Sequence, residues 1–100
     1  MAVYIVTWDL NKEGSAYNHA RSKLLSAINT MENTYSTSLD SVRFVSTSRT
    51  ANQLWTYLRQ NGGLDTNDTV VVVRMFNKGD NASNDGNLGE TFWNWINARI

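Results

Sequence analysis

Residues 2–9 form a near-continuous apolar stretch, Val3-Tyr4-Ile5-Val6-Thr7-Trp8, closed by Asp9. Such a run reads as a strand covered on at least one face. Asn11, Lys12 and Gly14 break it. Ser15 reads as an N-cap, and Tyr17, Ala20, Leu24, Ala27, Ile28 and Met31 then recur at helical spacing, which predicts a helix over 15–31 with that stripe inward. Tyr35, Thr37 and Leu39 alternate and predict a short strand, and Val42 to Thr47 predicts another, with Val42, Phe44 and Ser46 on one face. Thr50-Ala51-Asn52-Gln53 fits a capping box ahead of a helix carrying Leu54, Trp55 and Leu58, and Gly62-Gly63 supplies its left-handed stop. Val70 to Met75 opens on four valines and reads as a central strand. Residues 77–89 are polar and glycine-bearing, which predicts a surface loop. A short helix is expected from Glu90, with Phe92, Trp95, Ile96 and Ile100 on one side and Trp93 near its edge.

The order is strand, helix, strand, strand, helix, strand, helix. Its first six elements are the split βαβ pattern of ferredoxin-like folds. The expectation is one α+β domain over residues 1–100. It has a four-stranded antiparallel sheet, the two longer helices on one face, and a short C-terminal helix. The other sheet face then needs cover, either from the tryptophan-bearing last helix or from a second subunit.

Composition narrows the function classes. Nine basic residues balance nine acidic ones, so no global field steers the protein to nucleic acid or to acidic membranes, although a local basic patch is still compatible. With no cysteine and a single histidine, thiolate and zinc sites are excluded within the chain, and His19 reads as a surface residue. No apolar run approaches the length of a membrane span, and no signal-peptide pattern opens the sequence, so a cytoplasmic protein is expected. No Ser-His-Asp set, P-loop, GxGxxG or paired-carboxylate glycosidase pattern is present. An apolar share of 41% with eleven aromatic residues is more than one thin core needs, which predicts a homodimer formed through a sheet face or edge.

Several segments together resemble a known group. They are Tyr4-Ile5-Val6-Thr7-Trp8-Asp9-Leu10-Asn11, Leu39-Asp40-Ser41-Val42-Arg43-Phe44-Val45, Thr50-Ala51-Asn52-Gln53-Leu54 and Asn67-Asp68-Thr69-Val70-Val71-Val72. In order and spacing they resemble bacterial and phage proteins of the SinR-like kind, which are similar to the CRISPR-associated protein 2 family of small ferredoxin-like homodimers. The likeness spans about nine-tenths of the chain. It departs at the end of the first strand, where Trp8 stands in place of the tyrosine usual before the acid. The resemblance implies that Asp9 is a magnesium ligand facing its copy across a dimer. It also implies either a metal-dependent nuclease or a protein that holds nucleic acid without cutting it.

Each candidate has a plainer explanation beside it. Asp9, held at the mouth of a rigid strand, is the candidate catalytic residue and Mg²⁺ ligand; alternatively it caps the turn that follows. Lys12, Arg43, Arg49 and Arg74 are candidate phosphate contacts; alternatively they are solvated surface charge. Trp8, Trp93 and Trp95 are candidates for a dimer interface, and the helical ones also suit a core. Two functions follow. One is a dimeric nucleic-acid-associated protein, a Mg²⁺-dependent endonuclease if it is an enzyme. The other is a non-catalytic protein-interaction module of a phage, toxin–antitoxin or defence system. Open surroundings for Asp9 favour the first, and engagement in capping favours the second.

Overall fold

The computed structural model describes residues 1–37, 39–76 and 85–100, with side chains of the last segment from Glu90 onward. Among these, the elements are β1 (Ala2–Asp9), α1 (Gly14–Ile28), β2 (Glu32–Thr34), β3 (Val42–Thr47), α2 (Ala51–Asn61), β4 (Thr69–Met75) and α3 (Asp85–Asn97). The strands form one sheet in the order β2-β3-β1-β4, and every neighbouring pair is antiparallel. This is the ferredoxin-like arrangement expected from the element order.

Alternation along β1 divides the core in two. Tyr4, Val6 and Trp8 face α1 and α2 and are buried with Leu24, Ala27, Ile28, Leu54 and Leu58. Val3 points the other way and is buried with Phe44, Met75, Phe92 and Ile96. The last helix therefore supplies the cover that the second sheet face requires. Phe92 meets Phe44 edge-on at 4.7 Å between ring centroids, a favoured aromatic geometry. Trp93, Trp95 and Ile100 pack around this second core as half-buried residues.

Local chemistry explains most element ends. Thr50 and Gln53 form the capping box: the Gln53 N–H donates to the Thr50 hydroxyl, and the Thr50 N–H donates to Gln53 Oε1. Gly63 takes the left-handed conformation after α2 at φ +67°. Gly62 is needed for a different reason. A Cβ there would lie 2.4 Å from the Leu58 carbonyl oxygen and 3.1 Å from Leu24 Cδ1, so its absence lets α2 end against α1.

Five sequence expectations need correction. Helix α1 begins at Gly14 with Glu13 as N-cap and no side-chain cap bond, so Ser15 lies inside the helix. Among the described residues of 35–39 the expected strand does not form; β2 occupies Glu32–Thr34, where the open edge of β3 is available for pairing. Leu39 instead closes a turn with its N–H on the Ser36 carbonyl and packs on the second core. Helix α3 starts at Asp85 rather than Glu90, so residues 85–89 are helical; the rest of the expected loop, 77–84, lies outside the described residues. Trp8 is on the α1/α2 side and only 5% exposed. Finally, β4 is an edge strand, not a central one. Its valine run is uniform, but its burial is not: Val70 and Val72 are half-buried towards the first core, while Val71 and Val73 are 46% and 50% exposed. Among the described residues, no helix is long and apolar enough to cross a membrane.

Candidate functional site

At the C-terminal end of β1 the chain is fastened to the loop ahead of β4. The Asp68 side chain is 1% exposed. Its carboxylate accepts the Asn11 N–H at 3.1 Å, the Asp65 N–H at 3.1 Å, and Lys12 Nζ at 2.8 and 2.9 Å. Lys12 Nζ also donates to Asp65 at 3.0 Å, and Asp65 accepts the Asn67 N–H at 2.8 Å. Hydrogen bonding to Asp68, then to Asp65, holds the Lys12 ammonium above its usual range. The Asn67 N–H, then Lys12, holds the Asp65 carboxyl below its usual range. Lys12 thus spends its charge inside its own chain and is neutralised as a phosphate contact.

Asp9 stands beside this knot but outside it. It pairs with Thr69 across the ladder and is exposed. Its carboxylate has no hydrogen-bond or ion-pair partner among the described residues, so it does not cap the turn. By alternation with Trp8 it lies on the α3 side of the sheet with Thr7 and Ile5. A divalent cation such as Mg²⁺ takes six oxygens in near-octahedral geometry. No group of three or more Asp, Glu, His or Cys residues that could hold a metal occurs among the described residues. An ion of that kind at Asp9 would draw most of its oxygens from water, substrate or a second copy of the chain.

The arginines show a different pattern. Of six in the chain, five stack on an aromatic ring: Arg43 over Tyr35, Arg49 over Tyr57, Arg59 over Trp55, Arg74 over Phe76 and Arg99 over Trp95, at 4.1–5.6 Å from the ring centroid. Arg99 is also paired with Glu32. Arg43 donates to Asn33 Oδ1, and burial lowers its pKa from the usual value. Arg49, Arg59 and Arg74 have no acidic partner among the described residues. Arg49 and Arg74 flank Tyr4, whose hydroxyl donates to the Arg49 carbonyl at 2.8 Å and whose Cα is paired with that of Arg74.

Arg49 and Arg59 frame helix α2. At 100° per residue, Trp55 with Arg59 occupies one shoulder of the helix and Tyr57 with Arg49 the other. The ridge between them is Asn52, Gln53, Thr56 and Gln60, all exposed. The whole stretch from residue 41 to 64 contains no acid. Tyr57 is fixed in place by a 2.7 Å hydrogen bond between its hydroxyl and that of Thr30. Trp55 is 42% exposed.

Of the four expected phosphate contacts, the structure leaves Arg49 and Arg74 free of acids and engages Lys12 and Arg43. Among the tryptophans expected at an interface, Trp8 is inside the single-chain core, and its Nε1–H lacks a partner among the described residues. Trp93 and Trp95 are half-buried on α3. His19 is exposed on α1. Sequence reasoning missed the pairing of Trp55 with Arg59, although their i, i+4 spacing and the acid-free stretch around them were readable. Comparison with protein-family models, with curated proteins and with solved structures finds no match.

Proposed function

We propose that this chain is a nucleic-acid-associated domain that holds a single strand across α2 without cutting it. The observation that carries the reading is the pair of acid-free arginines, Arg49 and Arg59, each on an aromatic ring at opposite shoulders of one helix. A guanidinium lying on a ring keeps its edge donors for a phosphate, and an exposed ring offers a stacking face to a base. The polar, acid-free ridge between the two shoulders adds no repulsion for a polyanion. The resemblance to SinR-like proteins and to the CRISPR-associated protein 2 family supports the same substrate class.

The test is fluorescence anisotropy with labelled single-stranded RNA and DNA over a range of salt. Wild type should bind with a salt-dependent affinity. Changing Arg49→Ala and Arg59→Ala together should lower the affinity at least tenfold and flatten the log–log salt slope by roughly 1–2. Equal affinity for the double variant and wild type, or no binding of any oligonucleotide at low salt, would move the assignment to a protein-interaction module of a phage, toxin–antitoxin or defence system.

One observation favours a second reading, a Mg²⁺-dependent endonuclease: Asp9 is open and unengaged. Under it the remaining ligands come from water, substrate or the second copy that the resemblance implies. Under that reading Asp9→Asn abolishes Mg²⁺- or Mn²⁺-dependent cleavage and leaves the melting temperature unchanged, since the amide keeps the shape but is a poor ligand for a hard cation. Under the non-cutting reading, wild type and Asp9→Asn are equally inert on single- and double-stranded RNA and DNA.

A further inference from the structure

We propose that the cleft between α1 and the connection from β2 to β3 binds a phosphomonoester, clamped between Arg21 and Arg43. This goes beyond the strand-holding role of α2 and does not depend on it.

The cleft encloses about 330 Å³, and its walls include Arg21, Tyr35, Thr37, Asp40 and Arg43. It stands at the β2–β3 end of the sheet, whereas α2 packs beside β4 at the other edge. Strand β3 brings Arg43 there. Arg43 is two residues from Val45, which is buried with Leu24, Ala27 and Ile28 of α1, so both side chains leave the sheet on the α1 side. Arg21 comes from α1, about one turn before Leu24. Sheet and helix thus deliver one guanidinium each.

Both guanidiniums are held but not used up. Arg43 lies 4.1 Å from the Tyr35 ring centroid and donates one N–H to Asn33 Oδ1 at 3.3 Å. Arg21 donates one N–H to the Asp40 carbonyl at 3.3 Å. Among the described residues, Arg21 is the arginine with no ring beneath it. A guanidinium carries five N–H donors in a planar fork, so most of each fork stays available. An amide oxygen, a carbonyl and a ring neutralise no charge. Among the described residues, neither arginine has a carboxylate within ion-pair distance. The two cations are close enough to act on each other. Burial lowers the Arg43 pKa from its usual value, Tyr35 opposes that, and the charge of Arg21 adds to the lowering. Two unneutralised cations at one cleft repel, and a bound anion removes that repulsion.

Charge and size select the ligand. A phosphomonoester carries about two negative charges near neutral pH and three terminal oxygens. That is one charge per guanidinium, with acceptors for both forks and for the Thr37 hydroxyl. A carboxylate or a phosphodiester carries one charge and leaves one cation unmatched. The cleft is at the small end of ligand sites, which suits a phosphate with its attached sugar rather than a length of strand. The opposing group is Asp40, whose exposed side chain lines the same cleft and weakens the hold on an anion.

Two sources share this chemistry: a free nucleoside monophosphate and the 5′-phosphorylated end of a strand. Calorimetry on the full chain at constant ionic strength separates them. Adenosine 5′-monophosphate should bind at least about tenfold more tightly than adenosine, the worth of charge-assisted hydrogen bonds. Arg21→Gln should erase that preference, and Asp40→Asn should enlarge it. Neither side chain is in the core, so thermal melts of both variants should stay cooperative. The Arg49→Ala, Arg59→Ala double variant should keep the preference, which separates this cleft from α2. If the ligand is a strand end, a 5′-phosphorylated dinucleotide gains as much over its 5′-hydroxyl form. If it is a free nucleotide, the dinucleotide gains nothing. Equal affinity of wild type for the monophosphate and the nucleoside, a preference that survives Arg21→Gln, or one unchanged by Asp40→Asn would overturn the proposal.

Discussion

Changing Ile96→Asp should leave most of the protein unfolded at 25 °C. Ile96 is fully buried among Val3, Phe44, Met75 and Phe92, with no cation in that cluster. An unpaired carboxylate there costs several kcal/mol, against a total stability of about 5–15 kcal/mol for a domain of this size. Deleting the isoleucine's own packing adds about 2–5 kcal/mol to the loss. Circular dichroism with a urea titration reads the result. Asn94→Asp, on the exposed side of the same helix, serves as control and should fall within about 0.5 kcal/mol of wild type. A cooperative, wild-type-like transition for Ile96→Asp would mean that α3 does not cover the sheet in solution. The second face would then be open along its whole length.

The second large effect concerns the knot at the mouth of β1. Changing Asp68→Ala should destabilise the protein by about 2–3 kcal/mol, because it strips the partner from two backbone N–H groups and from Lys12. Changing Asp9→Ala, beside the knot in the sheet, should be nearly neutral, since its carboxylate has no partner among the described residues to lose. The pH dependence has a definite sign. The Asp65 pKa is depressed on folding, so its contribution is full above the unfolded value of 3.8 and fades as pH falls through the lower folded value. The Lys12 pKa is raised, so its contribution is full below 10.5 and fades as pH rises through the higher folded value. Stability measured by urea midpoint should be flat between these limits for this cluster. In Asp68→Ala the alkaline decline should shrink, because Asp68 is the main cause of the Lys12 shift.

Much of the architecture is legible in the sequence because local and global signals agree. The stripe Leu24, Ala27, Ile28, the Thr50–Gln53 box and the Gly62-Gly63 stop each have one reading, and each stands as read. The failures arise where an element is defined by its neighbours. Glu32–Thr34 has no apolar residue to announce a strand; it is one because β3 offers an edge and because Glu32 pairs with Arg99. Residues 85–89 look like a loop by composition and are helical because the helix after them extends backwards. The valines of β4 imply burial on both faces, whereas topology assigns that strand to the rim. The candidate site divides in the same way. Asp9 stands out as the acid at a strand mouth, but that Lys12 is engaged by Asp65 and Asp68, more than fifty residues away, is set by the fold and not by the local sequence.

The central position of β1 has a consequence for synthesis. Its partners on either side are residues 42–47 and 69–75, so the strand that organises the sheet leaves the ribosome well before the segments that satisfy it. At about 5–20 residues per second, several seconds pass between emergence of Asp9 and completion of β4. Through that interval Val3 to Trp8 is an unpaired, uncharged stretch of high β-propensity, the kind that seeds aggregation. The charges nearest to it are Asp9, Lys12 and Glu13, which act as gatekeepers at its C-terminal flank. A substitution that removes those charges should therefore lower soluble expression even where the finished fold is as stable as before.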